Sequence, residues 1–141
     1  MSVDVVRLEI PARTEYLILA RLALAGIARG VEIDQSTLAD LKLAVTEACG
    51  NAVLHAQPGD TGVVTVHFMV SDDAIEIMVE DDGPGIDAAS VGALPDGELS
   101  ESGMGLAIIH ALVDRVEIGP GVGGRGTTVR MRRLRSAGTS A

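Results

Sequence analysis

The stretch EDDGPGID, residues 80–87, sets four carboxylates around a Gly-Pro-Gly turn. What precedes it decides how it is read. The segment AIEIMVE places Ile75, Ile77 and Val79 on one face, and VVTVHFMV does the same with Val64, Val66, Phe68 and Val70. Such period-two alternation marks half-buried strands, and Ser71, Asp72 and Asp73 between them make a tight turn, so the two segments form a hairpin. The glycine turn therefore stands at a strand end. There Gly83 and Gly85 permit positive φ or close approach of the backbone to a ligand, and Asp81 ends the strand with a carboxylate directed to the same place. A carboxylate so placed can accept from an amino group.

Downstream, a polar stretch leads to SGMGLAIIHALVD, a short apolar helix with glycines at its start. Free N–H groups and the dipole at a helix N-terminus favour anionic oxygen, and Gly103 and Gly105 leave room for it, which suits phosphate. RVEIG and TTVRMRR then read as two strands around the glycine-rich loop PGVGGRG. Upstream, VDVVRLEI reads as a strand and RTEYLILARLALAGIARG as a helix stopped by Gly30. A second helix follows to about Ala56, with Asp34, Ser36 and Thr37 as cap candidates and capping-box spacing between Thr37 and Asp40. The order β-α-α-β-β-loop-α-β-β lacks βαβ alternation. It predicts an α+β fold, a two-layer sandwich in which helices cover one face of a mostly antiparallel sheet. One domain over residues 1–133 is expected, with a flexible tail over 134–141.

Composition narrows the function. The 141 residues are enough to bury a core without disulfides or a structural metal. Hydrophobic residues make up 47%, yet Phe68 and Tyr16 are the only aromatics, so aliphatic side chains must fill the interior. The net charge of −9 repels phosphate backbones and anionic lipid, which argues against direct nucleic-acid binding. No apolar run approaches the roughly 20 residues of a membrane span and no leader pattern opens the chain, so a cytoplasmic protein is expected. Cys49 is the single cysteine and is expected to be a buried thiol.

On the second helix, Glu47, Asn51 and His55 recur every four residues and fall within an arc of about 80° on one face. Taken singly, each is most simply a solvated, capping or helix-end residue; together with the glycine turns, Glu47 and Asn51 become site candidates. Other motifs lead elsewhere. GVGGRG, residues 121–126, fits the dinucleotide spacing but precedes a β-branched strand instead of opening a helix, so it is read as a hairpin loop. A P-loop is excluded because Lys42 is the only lysine and lies in no GxxxxGK[ST]. The acidic cluster lacks calcium-loop spacing, and His55, His67 and His110 lack metal-ligand spacing.

The segments EACGNAVLHA, DDGPGI, SGMGLAII and GTTVRM, in that order, resemble the N box, the two glycine boxes and the terminal Gly-Thr element of Bergerat-fold ATPases. The small size and the NAVLHA form are most similar to the anti-sigma-factor serine kinases. That resemblance implies ATP as cofactor, with Asp81 accepting from the adenine amino group and Gly83, Gly85 and Ile86 lining the base pocket. It implies Asn51 as a ligand of Mg²⁺, Glu47 as the general base, and Gly103, Met104, Gly105 and Leu106 at the phosphates. Thr127 would support the adenine site, and residues 87–102 would form a lid. Glu101 stands where related kinases often carry a basic residue, so an inward Glu101 would slow transfer. Arg21 on the first helix is implied as a partner contact.

The function so implied is an ATP-dependent serine protein kinase and anti-sigma factor, holding a sigma factor and phosphorylating a STAS-type antagonist, as a homodimer. Two alternatives stay open: an ATP-binding partner-switching module with little or no transfer, and a kinase of a STAS protein that binds no sigma factor.

Overall fold

The computed structural model describes residues 3–56, 62–83, 101–121, 124 and 126–135, and for 101–104 the helical backbone only. Strand β1 (Asp4–Pro11) leads through a 3₁₀ turn (Thr14–Tyr16) into α1 (Leu17–Ala28) and then α2 (Gln35–His55). The hairpin β2 (Val63–Val70) and β3 (Ala74–Asp81) follows, then α3 (Glu101–Leu112), β4 (Arg115–Pro120) and β5 (Thr127–Leu134). The order is the one read from the sequence. The five strands form one sheet, β1-β2-β3-β5-β4, and every pairing is antiparallel.

Alternation decides which face is covered. Val64, Val66, Phe68 and Val70 of β2 share a buried face with Ile75, Ile77 and Val79 of β3 and with Val129 and Met131 of β5. Each such side chain contributes roughly 1.5–3 kcal/mol on leaving water. Against that face α2 lays Leu41, Ala44, Val45, Ala48, Cys49 and Ala52. Alanine at every fourth position keeps this surface low, so α2 runs close beneath its neighbours. Ala20 and Leu24 of α1 and Leu106 and Ile109 of α3 complete the core.

Helix α2 begins where Asp34 accepts a hydrogen bond from the Thr37 N–H at 2.6 Å, with Asp34 Oδ1 as the capping atom. Asp34, and not the Thr37–Asp40 box, is the cap. Thr37 is buried, and Asp40 pairs instead with Arg133 of β5 at 2.8 Å. The apolar run of α1 is only partly consumed by the core. Ile18 and Leu22, one turn apart, stay more than half exposed, with the exposed Arg21 beside them.

Two residues of the expected tail belong to the fold. Leu134 pairs with Ala74, while the Arg135 side chain donates to the carbonyls of Ser71 and Glu32 at 2.8 and 2.9 Å. The remainder of the expected tail, residues 136–141, lies outside the described residues. PGVGGRG joins two antiparallel neighbours, as a hairpin loop should.

Candidate functional site

The site is built at the end of β3, the central strand. Asp81 is its last residue, facing Val64 of β2 and Thr127 of β5 in the register. The alternation that buries Val79 turns Asp81 to the helix face as well, and it is only 8% exposed. Its Oδ1 accepts from the Gly83 N–H at 2.9 Å. Burial pushes the Asp81 carboxyl above its ordinary value, while the Gly83 N–H and the His55 charge act against that shift.

Two glycines make this placement possible. A Cβ on Gly83 would sit 1.5 Å from the carbonyl oxygen of His55, so the C-terminus of α2 closes directly over the turn. Gly126 has φ +71°, and a Cβ there would lie 1.9 Å from the Asp81 carbonyl oxygen. Both glycines are required by contacts within the protein. Next to them Thr127 is 3% exposed, and its Oγ1 has no hydrogen-bond partner among the described residues. An unpaired buried hydroxyl costs about 1–3 kcal/mol, and a ligand polar group would relieve it.

The second half of the site lies between α2 and α3. A Cβ on Gly105 would lie 3.0 Å from Glu47 Oε2, 3.2 Å from Asn51 Nδ2 and 3.5 Å from Asn51 Oδ1. The polar ends of Glu47 and Asn51 thus converge on one point against the backbone of α3. Gly105 and Leu106 are buried there. Gly103 and Met104 lie in the first turn of the same helix, which begins at Glu101.

Of the sequence candidates, Glu47, Asn51 and Gly105 are brought together, and Asp81, Gly83 and Thr127 form a second group. Arg21 stands apart on the exposed side of α1. Gly85, Ile86 and residues 87–100 of the expected lid lie outside the described residues, while its last two residues, Glu101 and Ser102, belong to the backbone of α3; the side chains of Glu101, Ser102 and Met104 are not among those described. The neighbours of Asp81 are engaged in structure. Asp82 Oδ1 accepts from the Val63 N–H at 3.2 Å, as a backbone cap should. Glu80 pairs across the hairpin with His67 Nε2 at 2.9 Å, on the opposite face of the sheet. Sequence reasoning missed Gly126 as a residue of the site. Its signal was the glycine preceding Thr127, whose need for positive φ depends on the hairpin geometry. Among the described residues no group of three or more His, Cys, Asp or Glu side chains could hold a metal, and no helix is long and apolar enough to cross a membrane.

A buried carboxylate at the end of β3 and a Glu–Asn pair beside a glycine-bearing helix are features that suit an ATPase domain of the histidine kinase type. The comparisons agree. The histidine kinase-like ATPase domain family matches residues 10–133. The serine-protein kinase RsbW of Bacillus pumilus (strain SAFR-032) is 38% identical over 128 residues, 83% of this chain and 79% of that protein. The RsbW of Bacillus cereus (strain G9842) is 35% identical over 121 residues, 80% of this chain and 76% of that protein. Among solved structures, the RsbU and RsbW domains of a Mycobacterium tuberculosis protein superpose with a TM-score of 0.65 at 24% identity. The match covers 93% of this chain and 32% of that one, and it supports the fold. The histidine kinase domain of a blue-light-activated kinase from Erythrobacter litoralis gives 0.53 at 27% identity, over 93% of this chain and 64% of that one.

The chain belongs to the histidine kinase-like ATPase family and, within it, to the RsbW serine-protein kinases. It is an enzyme, a protein serine kinase that uses ATP.

Proposed function

We infer that this kinase phosphorylates a serine on a STAS-type antagonist and, as a cytoplasmic homodimer, also holds a sigma factor. The observation that carries the catalytic part is the convergence of Glu47 and Asn51 on Gly105. Phosphoryl transfer asks a protein for alignment and charge neutralisation more than for covalent help, and these residues are of the right kinds. Glu47, one helical turn before Asn51, is placed to take the proton of an incoming serine hydroxyl. Asn51 supplies an amide oxygen of the sort that Mg²⁺ accepts. Gly105 has no side chain to keep the α3 backbone from anionic oxygen.

At the other end Asp81 offers a carboxylate to an exocyclic amino group, and the Thr127 hydroxyl, without a partner among the described residues, fits a polar base edge. Both features suit adenine. When bound, MgATP supplies the transferable phosphoryl group. Gly83, Gly85 and Ile86 are assigned to the base pocket, and Gly103, Met104 and Leu106 to the phosphate end with Gly105. For the partner side, exposed Arg21 lies between exposed Ile18 and Leu22, a basic and apolar patch on an acidic protein.

The test begins with calorimetry of MgATP on the wild type and on Asp81→Asn, followed by transfer from labelled ATP to a STAS-domain antagonist. Glu47→Ala should abolish labelling and leave ATP binding within about threefold. Loss of binding in that variant removes the basis for the catalytic role of Glu47. Binding without any labelling by the wild type favours a partner-switching module that uses ATP only to select its partner.

A further inference from the structure

Arg133, which is none of the residues assigned above, stands on the helix face of β5. It joins three elements. Its Nη1 donates to Asp40 Oδ2 at 2.8 Å and to the carbonyl oxygen of Leu112, and its Nη2 donates to Thr37 Oγ1 at 3.4 Å. Thr37 and Asp40 belong to the first turns of α2, and Leu112 is the last residue of α3. The Leu112 carbonyl is one of those that a helix leaves unsatisfied at its C-terminus, where a cation also complements the dipole. The ion pair is largely shielded, with side-chain exposures of 23% for Arg133 and 32% for Asp40.

The position of this contact along the helices gives it meaning. Asp40 stands two turns before Glu47 on α2, and Leu112 stands two turns after Gly105 on α3, about 10 Å in each case. The two helices run side by side in opposite directions. One end of the pair is pinned by the guanidinium, and the other carries the contact of Gly105 with Glu47 and Asn51. That contact leaves no room for a side chain on α3, since a Cβ on Gly105 would meet both side chains at 3.0–3.2 Å. A slide of α3 along α2 would therefore move its N-terminal N–H groups directly relative to the base and the metal ligand. Catalysis is sensitive to misplacements of this kind, even when their origin lies far from the reacting atoms.

The geometry points to Arg133 as a positioning residue for phosphoryl transfer: it sets the axial register of α3 on α2 and so holds Gly105 against Glu47 and Asn51. This rests on the reading of those three residues as the phosphate end. Asp81 and Thr127 sit on β3 and β5 and do not depend on α3 register, so adenine recognition is separable from the effect.

Three variants test it, with the STAS-domain antagonist as acceptor and with melting temperature, KM for ATP and kcat as readouts. Arg133→Met is expected to lower kcat at least tenfold and to leave KM for ATP within threefold. Arg133→Lys, which keeps the charge but not the planar fork, is expected to fall between it and the wild type. Phe68→Leu, a core change remote from the clamp, supplies a matched loss of melting temperature and should keep kcat within twofold. A wild-type kcat in Arg133→Met overturns the proposal, and so does an equal kcat loss in Phe68→Leu. If Arg133→Met fails to fold, Asp40→Asn takes its place with the same expectations.

Hydrogen exchange in the ligand-free protein reads the clamp without any catalysis. Exchange of the α3 amides should quicken at least tenfold in the Arg133 variant while β2 and β3 stay protected. Unchanged α3 exchange sinks the clamp itself. Faster α3 exchange in the Arg133 variant, with kcat unchanged, upholds the clamp and removes only the reading of Glu47, Asn51 and Gly105 as the phosphate end.

Discussion

The α-carbon of Gly126 faces the carbonyl of Asp81 so closely that a methyl group on it would lie 1.9 Å from the oxygen. The residue that ends the central strand is thus seated against a glycine from the neighbouring hairpin. Gly126→Ala meets two obstacles, the clash and a φ of +71° that L side chains rarely adopt. The strand end must shift, and Asp81 with it. The variant is expected to lose about 1–3 kcal/mol of stability and at least tenfold in ATP affinity, checked by denaturant melts and calorimetry. Full ATP affinity in a destabilised variant would show that Asp81 does not read the base from this position.

Asp81 itself should oppose stability in the absence of nucleotide. Its folded pKa is raised above its unfolded value by burial. A group so shifted gives stability that is fully present below the unfolded pKa, 3.8, and is lost as pH rises through the higher folded value. Asp81→Asn removes this dependence and can still accept from Gly83. Across that window the ligand-free variant should gain melting temperature relative to wild type as pH rises, and then keep a constant margin. At neutral pH it should lose ATP binding. A margin that is flat from pH 3 upward would mean that the carboxyl pays no burial penalty in the fold.

Much of this arrangement could be read in the sequence because its signals are local. Alternation in residues 63–81 gave the hairpin, glycines marked the turns, and the four-residue spacing put Glu47 and Asn51 on one helix face. What escaped depends on register between distant segments. Glu80 meets His67 only through the hairpin alignment, and Thr127, assigned to the adenine site by resemblance alone, faces Asp81 because β5 pairs with β3. Arg133 reaches an aspartate 93 residues away, which diverted Asp40 from the capping role its spacing suggested. Gly83 was legible as a special position, but its reason was not. The close body is the backbone of His55, and no periodicity foretells where a helix C-terminus will come to rest.

Thr127→Val separates ligand recognition from folding. The hydroxyl is buried and has no partner among the described residues, so replacing it with a methyl group removes an unsatisfied polar atom. The ligand-free protein should be unchanged or more stable by up to about 1 kcal/mol. ATP binding should weaken about tenfold, the loss of roughly 1.4 kcal/mol expected for one hydrogen bond to the base. Thermal melts with and without ATP give both numbers. A drop in ligand-free stability would mean that the hydroxyl already has a partner in solution and is not waiting for one.

Cys49 offers a probe of the core beneath the site. It is fully buried on α2, two residues after Glu47 and two before Asn51, and burial raises its thiol to about 12. Only the thiolate reacts with disulfide reagents, so at pH 8 the folded protein should resist labelling on both grounds, access and ionisation. Modification then requires opening of the core, and its rate should follow the population of the open state when reclosing is fast. Bound ATP lowers that population by mass action. At a hundredfold excess over its dissociation constant, ATP should slow labelling about a hundredfold, an effect of roughly 2.7 kcal/mol. Asp81→Asn should label at a rate that ATP does not change. Rapid labelling of the ligand-free wild type, at the rate of a free thiol, would place Cys49 outside the core, and with it the face of α2 that positions Glu47 and Asn51.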